Sequence, residues 1–266
     1  MSLADLTRDL IAEQDDLDAI VSALDAASLS LPTPSPGWSI ADQIGHLAFF
    51  DNTAALAIND PDAFVAHRKE MLGAIVGDDP DAATLGTYRA MSADELLTSW
   101  RAARAELAAA AATLADKQRV EWYGPSMGAK SFLTARLMEA WAHGQDIADT
   151  AGVERSASNR LIHIAQLGVI TQKWSFIVRG EEPLPVDVSV VLDAPEGGDP
   201  WSWGDAENPD YVTGPAEDFC LVVTQRRHVD DTSLQAHGEH ARRWLLQAQA
   251  FAGGPTTGPE PTGTNS

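Results

Sequence analysis

A carboxylate and an imidazole lie four residues apart in this chain, at Glu139 and His143. In a helix, that spacing places both side chains on one face, one turn apart. Arg136 and Asp146 extend the same polar stripe by one turn in each direction. A carboxylate and an imidazole on one helix face can supply two ligands to a divalent metal ion. The spacing therefore predicts part of a metal site.

His46 is the best candidate for a third ligand. It lies far upstream, in a second helix-like segment beside Phe49 and Phe50. Two histidines and a carboxylate leave coordination positions open, which fits zinc or another first-row divalent ion. Alternatively, Glu139 and His143 form an ordinary pair on a helix surface, and His46 is a satisfied core or surface residue. Five other histidines are competing donors: His67, His163, His228, His237 and His240.

The polar stripe needs a helix whose remaining positions face a core. Ser131 is the candidate N-cap of this helix, and Gly152 is its expected end. Apolar residues occupy the other face: Leu133, Leu137, Ala140 and Ile147. We therefore expect the stripe to line a buried site or a cleft.

Serine residues indicate the starts of three further helices. Ser2 precedes a segment with helical apolar periodicity. Ser39 and Ser92 are each followed by an acid three residues later, close to the capping-box pattern. Ser39 opens the segment that carries His46, and Ser92 opens a long alanine-rich helix. Asp62 is the candidate cap of a shorter helix.

Three more segments complete the helical part of the chain. Residues 77–80 predict a turn and residues 120–129 predict a loop, because both contain glycine and proline. A further helix is expected from about residue 157 to residue 178, and its inward face would carry Leu161, Ile164, Leu167, Ile170 and Trp174. Together these helices predict a bundle.

The pattern changes after Arg179, where a proline-rich break at residues 182–185 predicts a domain boundary. Strands are predicted by β-branched and aromatic residues in three segments: 186–192, 201–203 and 211–213. We therefore expect a mainly α chain with a smaller α+β part. The helical bundle would span residues 1–180 and the α+β domain residues 181–252.

The last part of the α+β domain has one ambiguous segment. Pro215 indicates a helix start, although the apolar run at residues 219–223 could instead be a strand. Residues 240–251 predict a final helix. Residues 253–266 are rich in Gly, Pro and Thr and are expected to be a disordered tail.

The charge of the chain limits its partners. Its 266 residues carry a formal net charge of -21, so repulsion from phosphate argues against nucleic acid and against anionic membrane surfaces. The sequence contains neither an apolar run of membrane-spanning length nor the pattern of a signal peptide. We therefore expect a soluble, cytoplasmic protein that acts on a small molecule, in an oligomeric state that the sequence does not specify.

Cysteine and arginine offer two further candidates. Cys220 is the single cysteine, so it excludes an intrachain disulfide, and we expect it to be buried and inert. Arg226 and Arg227 form a basic pair after an apolar run. One interpretation is a cation at a helix end, where the helix dipole favours positive charge. The other is a clamp for a carboxylate or a phosphate.

Three segments carry a family resemblance. Residues 36–47, with Trp-Ser before His46 and Leu after it, resemble the first motif of the DinB-like metalloenzyme superfamily. The stretch from Arg136 to Asp146 resembles its second metal motif, in the form found in mycothiol-dependent maleylpyruvate isomerases. Residues 212–226 are similar to the second domain of that family. The segments around residues 201–203 and 225–228 resemble an actinobacterial subgroup of metal-binding proteins.

The resemblance implies a fold and a set of roles. The fold would be a DinB-like four-helix bundle followed by a sterol-carrier-like α/β domain. His46, Glu139 and His143 would bind zinc, the same three residues that the spacing indicates. Arg226 would serve activity, with Arg227 as the alternative position.

Three functions are compatible with these residues. The first is a metal-dependent isomerase or S-transferase that uses mycothiol, a low-molecular-weight thiol, as co-substrate and acts on a small electrophilic substrate. The second is a non-catalytic metal-binding protein with a small apolar-ligand pocket, in which Asp42 or Asp146 supplies a fourth ligand. The third is a metal-dependent hydrolase that needs no thiol.

Overall fold

The computed structural model describes residues 2–75 and 80–264. Most of the predicted turn at residues 77–80 lies outside them. The described helices are α1 (Leu3–Ser22), α2 (Ile40–Asn59), α3 (Pro61–Ile75), α4 (Pro80–Arg89), α5 (Ala93–Ala111), α6 (Ala129–Ala151), α7 (Leu161–Ile170), α8 (Gln172–Ile177), α9 (Ala216–Val223) and α10 (Glu239–Leu245). The described strands are β1 (Arg119–Val120), β2 (Met127–Gly128), β3 (Ser189–Asp193), β4 (Trp201–Trp203), β5 (Tyr211–Pro215) and β6 (Gln235–His237). The chain divides into two compact units, Met1–Arg155 and Ser156–Ser266.

Helices α1, α2, α5 and α6 form a four-helix bundle in the first unit. They share one cluster of buried apolar side chains, which includes Leu17, Val21, Ile40, Ile44, Leu47, Leu96, Trp100 and Ile147. Burying one Leu or Ile side chain stabilises a fold by about 1.5–3 kcal/mol. This cluster therefore fixes α2 and α6, which carry the predicted metal ligands, against each other.

Capping boxes define the starts of α1, α2 and α5. In each box, a serine hydroxyl accepts a bond from the backbone N–H three residues on, and the acid at that position accepts a bond from the serine N–H. The caps predicted at Ser2, Ser39 and Ser92 are confirmed. Such a cap is worth about 1 kcal/mol. The Ser39 cap also fixes the first turn of α2 and hence the direction of His46 two turns later.

The start of α3 differs from the prediction. This helix begins at Pro61, and the Asp60 carboxylate accepts a bond of 3.0 Å from the Ala63 N–H. Asp60 therefore takes the capping role predicted for Asp62. Proline suits the first helical position, because its fixed φ is helical and its missing N–H would lack a helical partner.

The bounds of α6 agree with the prediction at one end only. The predicted loop at residues 120–129 overlaps the antiparallel pair of β1 and β2, which begins at Arg119. Helix α6 then begins at Ala129, with Gly128 as an N-cap that has no side-chain bond, so Ser131 lies inside the helix. The C-terminus is confirmed at Gly152, whose φ of 66° is the left-handed conformation that glycine adopts readily.

A four-stranded mixed sheet forms the centre of the second unit, with strand order β4-β3-β5-β6. Strand β3 is parallel to β5 and antiparallel to β4, and β5 is antiparallel to β6. The predicted strands are all present: β4 has the predicted bounds, β3 and β5 have shifted bounds, and β6 was not predicted. Residues 219–223 are helical, so the strand alternative for them is wrong. The last helix, α10, ends at Leu245, before the predicted residue 251.

The helix expected at residues 157–178 is divided in two. Thr171 lies between α7 and α8, and its hydroxyl donates to the carbonyls of Leu167 and Gly168. This bonding pattern bends helices. The prediction that Ile170 and Trp174 face inward is wrong, because 59% of Ile170 and 37% of Trp174 are exposed.

Close packing of α7 against α9 assigns α7 to the second unit. A Cβ atom on Gly168 would lie 2.9 Å from the Val223 side chain and 3.0 Å from the ring of Phe219. The division between the units therefore falls after Arg155, earlier than the boundary expected at residue 180. The predicted architecture of a helical N-terminal part and an α/β C-terminal part is confirmed.

Two sequence-based expectations concern the tail and membranes. In the segment expected to be disordered, residues 253–264 are described, and Thr262 donates hydrogen bonds to the Asp231 carboxylate. Residues 265 and 266 lie outside the described residues. Among the described helices, none combines the length and the apolar character needed to cross a bilayer.

We expect Gly168→Ala to destabilise the second unit by about 1–3 kcal/mol, the usual penalty for overpacking a core. Gly86→Ala in α4 is the matched control, because a Cβ atom there meets nothing within 4 Å. That change should be neutral or stabilising by up to about 1 kcal/mol, since alanine favours helix. Urea denaturation of both variants measures the difference. Equal stability of Gly168→Ala and the wild type would show that the α7–α9 contact is loose.

Candidate metal centre

The bundle brings together the three predicted metal ligands. His46 lies on α2, while Glu139 and His143 lie one turn apart on α6. Glu139 Oε2 lies 3.3 Å from His46 Nε2 and 3.1 Å from His143 Nε2. All three donor atoms lie within 4.8 Å of one another. Among the described residues, this is the single cluster of His, Cys, Asp or Glu side chains close enough to hold one ion.

The spacing of the donor atoms fits a tetrahedral ion. Ligand atoms of a tetrahedral zinc site lie about 3.3 Å apart, because each is bound roughly 2.0–2.2 Å from the metal. The two contacts of Glu139 Oε2 match this value. Two imidazoles and one carboxylate are also a donor set that zinc accepts.

The tautomer of His143 gives a second reason to place a cation here. His143 Nδ1 lies 2.5 Å from Gln43 Oε1. The Gln43 amide is oriented by its Nε2 group, which donates to Thr33 Oγ1 at 2.9 Å and to Asp146 Oδ2 at 3.4 Å. A reversed amide would turn its oxygen towards the Asp146 carboxylate, and both atoms would be acceptors. His143 Nδ1 therefore carries a hydrogen.

This assignment leaves an electrostatic conflict that a cation removes. In a neutral ring with a hydrogen on Nδ1, His143 Nε2 presents a lone pair. That lone pair faces Glu139 Oε2, itself an acceptor, at 3.1 Å. The arrangement requires a positive centre between the two atoms, either a proton on the ring or a metal ion. The residues present therefore fit a divalent metal.

Burial and neighbouring charge set the protonation of the other two ligands. Burial and the nearby His143 lower the pKa of His46 to about 4, so its imidazole is neutral at pH 7. Burial alone would raise the pKa of Glu139, but its close contacts with the rings of His143 and His46 bring the pKa well below its usual value. A neutral imidazole and a charged carboxylate are the forms that bind metals.

Aromatic rings cover two sides of the histidine pair. The Trp38 ring centroid lies 5.1 Å from that of His46 and 6.0 Å from that of His143. Phe50 lies against His46, with centroids 4.6 Å apart. Trp38 is held in place because its indole Nε1 donates to Asp81 Oδ2 at 2.8 Å. These rings lower the local polarity and restrict solvent around the site.

Arg136, predicted to belong to the polar stripe, has a separate carboxylate partner. Its Nη2 lies 2.8 Å from Asp51 Oδ1, with 4% and 1% of the two side chains exposed. Gln14 donates to the second Asp51 oxygen at 2.9 Å. Burial raises the pKa of Asp51, and the Arg136 charge opposes that rise. The pair anchors α2 to α6 one turn before Glu139.

The competing donors have other partners. His67 Nε2 lies 2.9 Å from Tyr123 Oη. Of the second-unit histidines, His228 accepts a bond from the Asp230 N–H, His237 stacks on Tyr211, and His240 pairs with Asp210. His163 is buried in α7. None of these histidines belongs to the cluster of three donors.

The family of the chain follows from its sequence match. The family model of the mycothiol maleylpyruvate isomerase N-terminal domain matches residues 10–148, a segment that contains all three donors. The chain belongs to this family. Two proteins from two strains of Mycobacterium tuberculosis, each described only as an uncharacterized protein, are 47% identical to it over 250 residues. The alignment covers 94% of this chain and 96% of each relative.

Solved structures of the mycothiol-dependent maleylpyruvate isomerase share the fold. A histidine-to-alanine mutant superposes with a TM-score of 0.57, covering 86% of this chain and 91% of that one. A second crystal structure of the enzyme gives a TM-score of 0.56 and covers 85% and 90%. Sequence identity is 15% in both cases. At this identity the similarity shows the fold and leaves the reaction open.

The remaining functional candidates of this family member lie in its second unit. Cys220 is buried, and burial raises the pKa of its thiol well above the usual value, which disfavours a reactive thiolate. Arg226 follows α9, and its Nη1 donates to the Thr224 carbonyl at 2.7 Å. Arg227 Nη1 donates to the Arg226 carbonyl at 2.8 Å. The Thr224 contact fits the helix-end interpretation of Arg226.

Gln43 is the residue of this site that the sequence did not reveal. The sequence offers its neighbour Asp42 as an alternative fourth metal ligand. The structure turns Asp42 towards Ser39 and Arg89 instead, with Arg89 Nε 2.7 Å from Asp42 Oδ1. Gln43 lies three residues before His46, so helical spacing could have indicated it.

We expect His46→Ala and His143→Ala each to lose most of the bound metal. Two remaining ligands hold a divalent ion weakly, because water replaces the lost coordinate bond. Elemental analysis after dialysis measures the metal per chain. His67→Ala is the matched control and should retain wild-type metal. One ion per chain in both ligand variants would show that the three donors do not form the site.

Proposed function

We propose that this chain is a metal-dependent enzyme, an isomerase or S-transferase that uses mycothiol or a similar low-molecular-weight thiol as co-substrate. The substrate would be a small electrophile, and zinc is the metal that we propose. The observation that carries the proposal is a site with two imidazoles and one carboxylate, inside a family named for a mycothiol-dependent reaction. We further propose that the protein works in the cytoplasm.

The number of protein ligands favours catalysis over a structural role. A structural metal site needs a fourth protein ligand, whereas a catalytic site keeps a position open. The Asp42 carboxylate accepts hydrogen bonds from Ser39 and from Arg89. Asp146 lies on the Nδ1 side of His143, at 3.9 Å, and accepts a bond from Gln43. Neither carboxylate is in place to close the coordination, which supports an exchangeable position.

When bound at these residues, a divalent ion would lower the pKa of a thiol that coordinates it, so that thiolate forms at neutral pH. Glu139 and the two histidines would fix the position of the sulfur. Trp38 and Phe50 would restrict water on two sides of the histidines. In an isomerisation, the thiolate sulfur adds to one carbon of a cis double bond. Rotation about the resulting single bond and loss of the thiolate then give the trans product.

We expect mycothiol to change the visible spectrum of the cobalt-substituted protein. A sulfur–cobalt bond gives a charge-transfer band that nitrogen and oxygen ligands do not give. The control is an S-methylated thiol of the same structure, which cannot form a thiolate. No spectral change with mycothiol would exclude thiol coordination. Hydrolytic turnover without thiol would then favour the hydrolase, and a cobalt spectrum insensitive to every added ligand would favour the non-catalytic protein.

We propose that Arg226 holds a carboxylate of the substrate or the thiol. Arg226→Lys should then reduce kcat/KM by about 10-fold or more, because lysine keeps the charge and loses the planar pair of parallel hydrogen bonds. Metal content and melting temperature should not change. Arg227→Lys is the matched control and should retain activity. Wild-type turnover in Arg226→Lys would leave Arg226 as a residue that binds the Thr224 carbonyl at the end of α9.

A further inference from the structure

Gln43 contacts the metal-binding histidine of the opposite helix. It lies on α2 and is fully buried. Its Oε1 accepts the Nδ1 hydrogen of His143 at 2.5 Å. The other acceptor on that side of the ring, Asp146 Oδ2, lies 3.9 Å from Nδ1, beyond hydrogen-bond distance. Gln43 is therefore the direct partner of the ring nitrogen that points away from Glu139.

Two neighbours hold the Gln43 amide in this orientation. Its Nε2 donates to Thr33 Oγ1 and to Asp146 Oδ2. Asp146 Oδ2 also accepts a bond of 3.3 Å from Ser35 Oγ. Thr33 and Ser35 precede α2, whereas Asp146 belongs to α6. The segment before α2 and the metal-binding helix thus fix one amide between them.

Glu139 competes with Gln43 for the ring hydrogen of His143. With the hydrogen on Nε2, the ring could donate to Glu139 Oε2, which lies 3.1 Å away. That tautomer cannot bind a metal through Nε2, because the lone pair is then on Nδ1. Gln43 offers an acceptor on the other side, and so it favours the tautomer whose Nε2 lone pair faces the donor cluster.

We infer that Gln43 is a positioning residue that sets the tautomer and the orientation of His143 for metal binding. This inference rests on the proposed metal site at His46, Glu139 and His143. An amide performs the task without a charge, unlike the carboxylates that often occupy this place beside a metal-binding histidine. Gln43 therefore adds no negative charge beside the three ligands.

The test compares Co²⁺ binding to the full-length wild type and to Gln43→Met. Methionine keeps the length and helix preference of glutamine and lacks a strong acceptor. We expect Gln43→Met to bind Co²⁺ about 10–100-fold more weakly, the usual effect of losing such a partner. Gln14→Met is the matched control, because Gln14 is equally buried in the bundle and contacts Asp51 instead of a ligand. It should bind Co²⁺ as the wild type does.

The tautomer of His143 provides a second measurement, which a general loss of packing would not change. Long-range proton–nitrogen NMR correlations distinguish the two neutral imidazole forms, and His143→Gln identifies the signals of His143. In the metal-free wild type, at a pH where the ring is neutral, we expect the hydrogen on Nδ1. In metal-free Gln43→Met we expect it on Nε2, bonded to Glu139.

Asp146 could replace the missing acceptor, so a second variant, Gln43→Met with Asp146→Ala, removes both. Wild-type Co²⁺ affinity together with the Nδ1 tautomer in this double variant would overturn the inference. Equal weakening in Gln14→Met would also overturn it, because the effect would then come from the fold. If the wild type binds no Co²⁺, the proposed metal function fails, and the tautomer in the metal-free protein still decides the role of Gln43.

Discussion

The carboxylate of Glu139 lies between two imidazole nitrogens inside a helical bundle, and its negative charge requires a positive charge beside it. A buried charge is stable only when it is paired and hydrogen-bonded. Arg136 lies one turn away on the same helix but is bound to Asp51. Within the part of the chain that the structure describes, Glu139 pairs with His46 and His143 and with no arginine or lysine. One of these rings has a pKa of about 4. A positive centre beside Glu139 is therefore required, and an exchangeable cation at this position is the physical basis of the proposed metal site.

Three local interactions hold the two helices that carry His46 and Glu139 in position. The Ser39 cap fixes the first turn of α2, and the buried core of α1, α2, α5 and α6 sets the distance between α2 and α6. The ion pair of Arg136 and Asp51 then ties the two helices together beside the ligands. Breaking such a pair by removing one partner leaves an uncompensated buried charge, which is strongly destabilising. The pair thus restricts α2 and α6 to arrangements that keep His46 opposite Glu139.

The sequence predicted the features that depend on neighbours along the chain. Capping at Ser39 and the pairing of Glu139 with His143 each need only a few residues of context, and both are present. The choice of His46 needed the packing of two helices as well, which apolar periodicity indicated.

Asp42 and Gln43 show where this reasoning fails. Both are polar and adjacent on α2. The capping box indicates the contact of Asp42 with Ser39, whereas the contact of Asp42 with Arg89 and that of Gln43 with His143 depend on other helices. The division at Thr171 was missed for the opposite reason, because a single hydroxyl interrupts an otherwise continuous apolar pattern.

The charge of the proposed site would also let a strongly acidic chain bind an anionic thiolate. A divalent ion bound by Glu139 and two imidazoles would carry one net positive charge, with the Asp146 carboxylate 3.9 Å from His143 Nδ1 as a further negative group nearby. A carboxylate in place of Gln43 would add a second negative charge beside His143 and would weaken the attraction for a thiolate. At the -21 formal charge of this chain, long-range attraction for anions is absent, and salt screens surface charges beyond about 8–10 Å. Affinity for a thiolate must therefore come from charge within a few ångströms of the sulfur, and the neutral amide of Gln43 preserves that charge while still orienting His143.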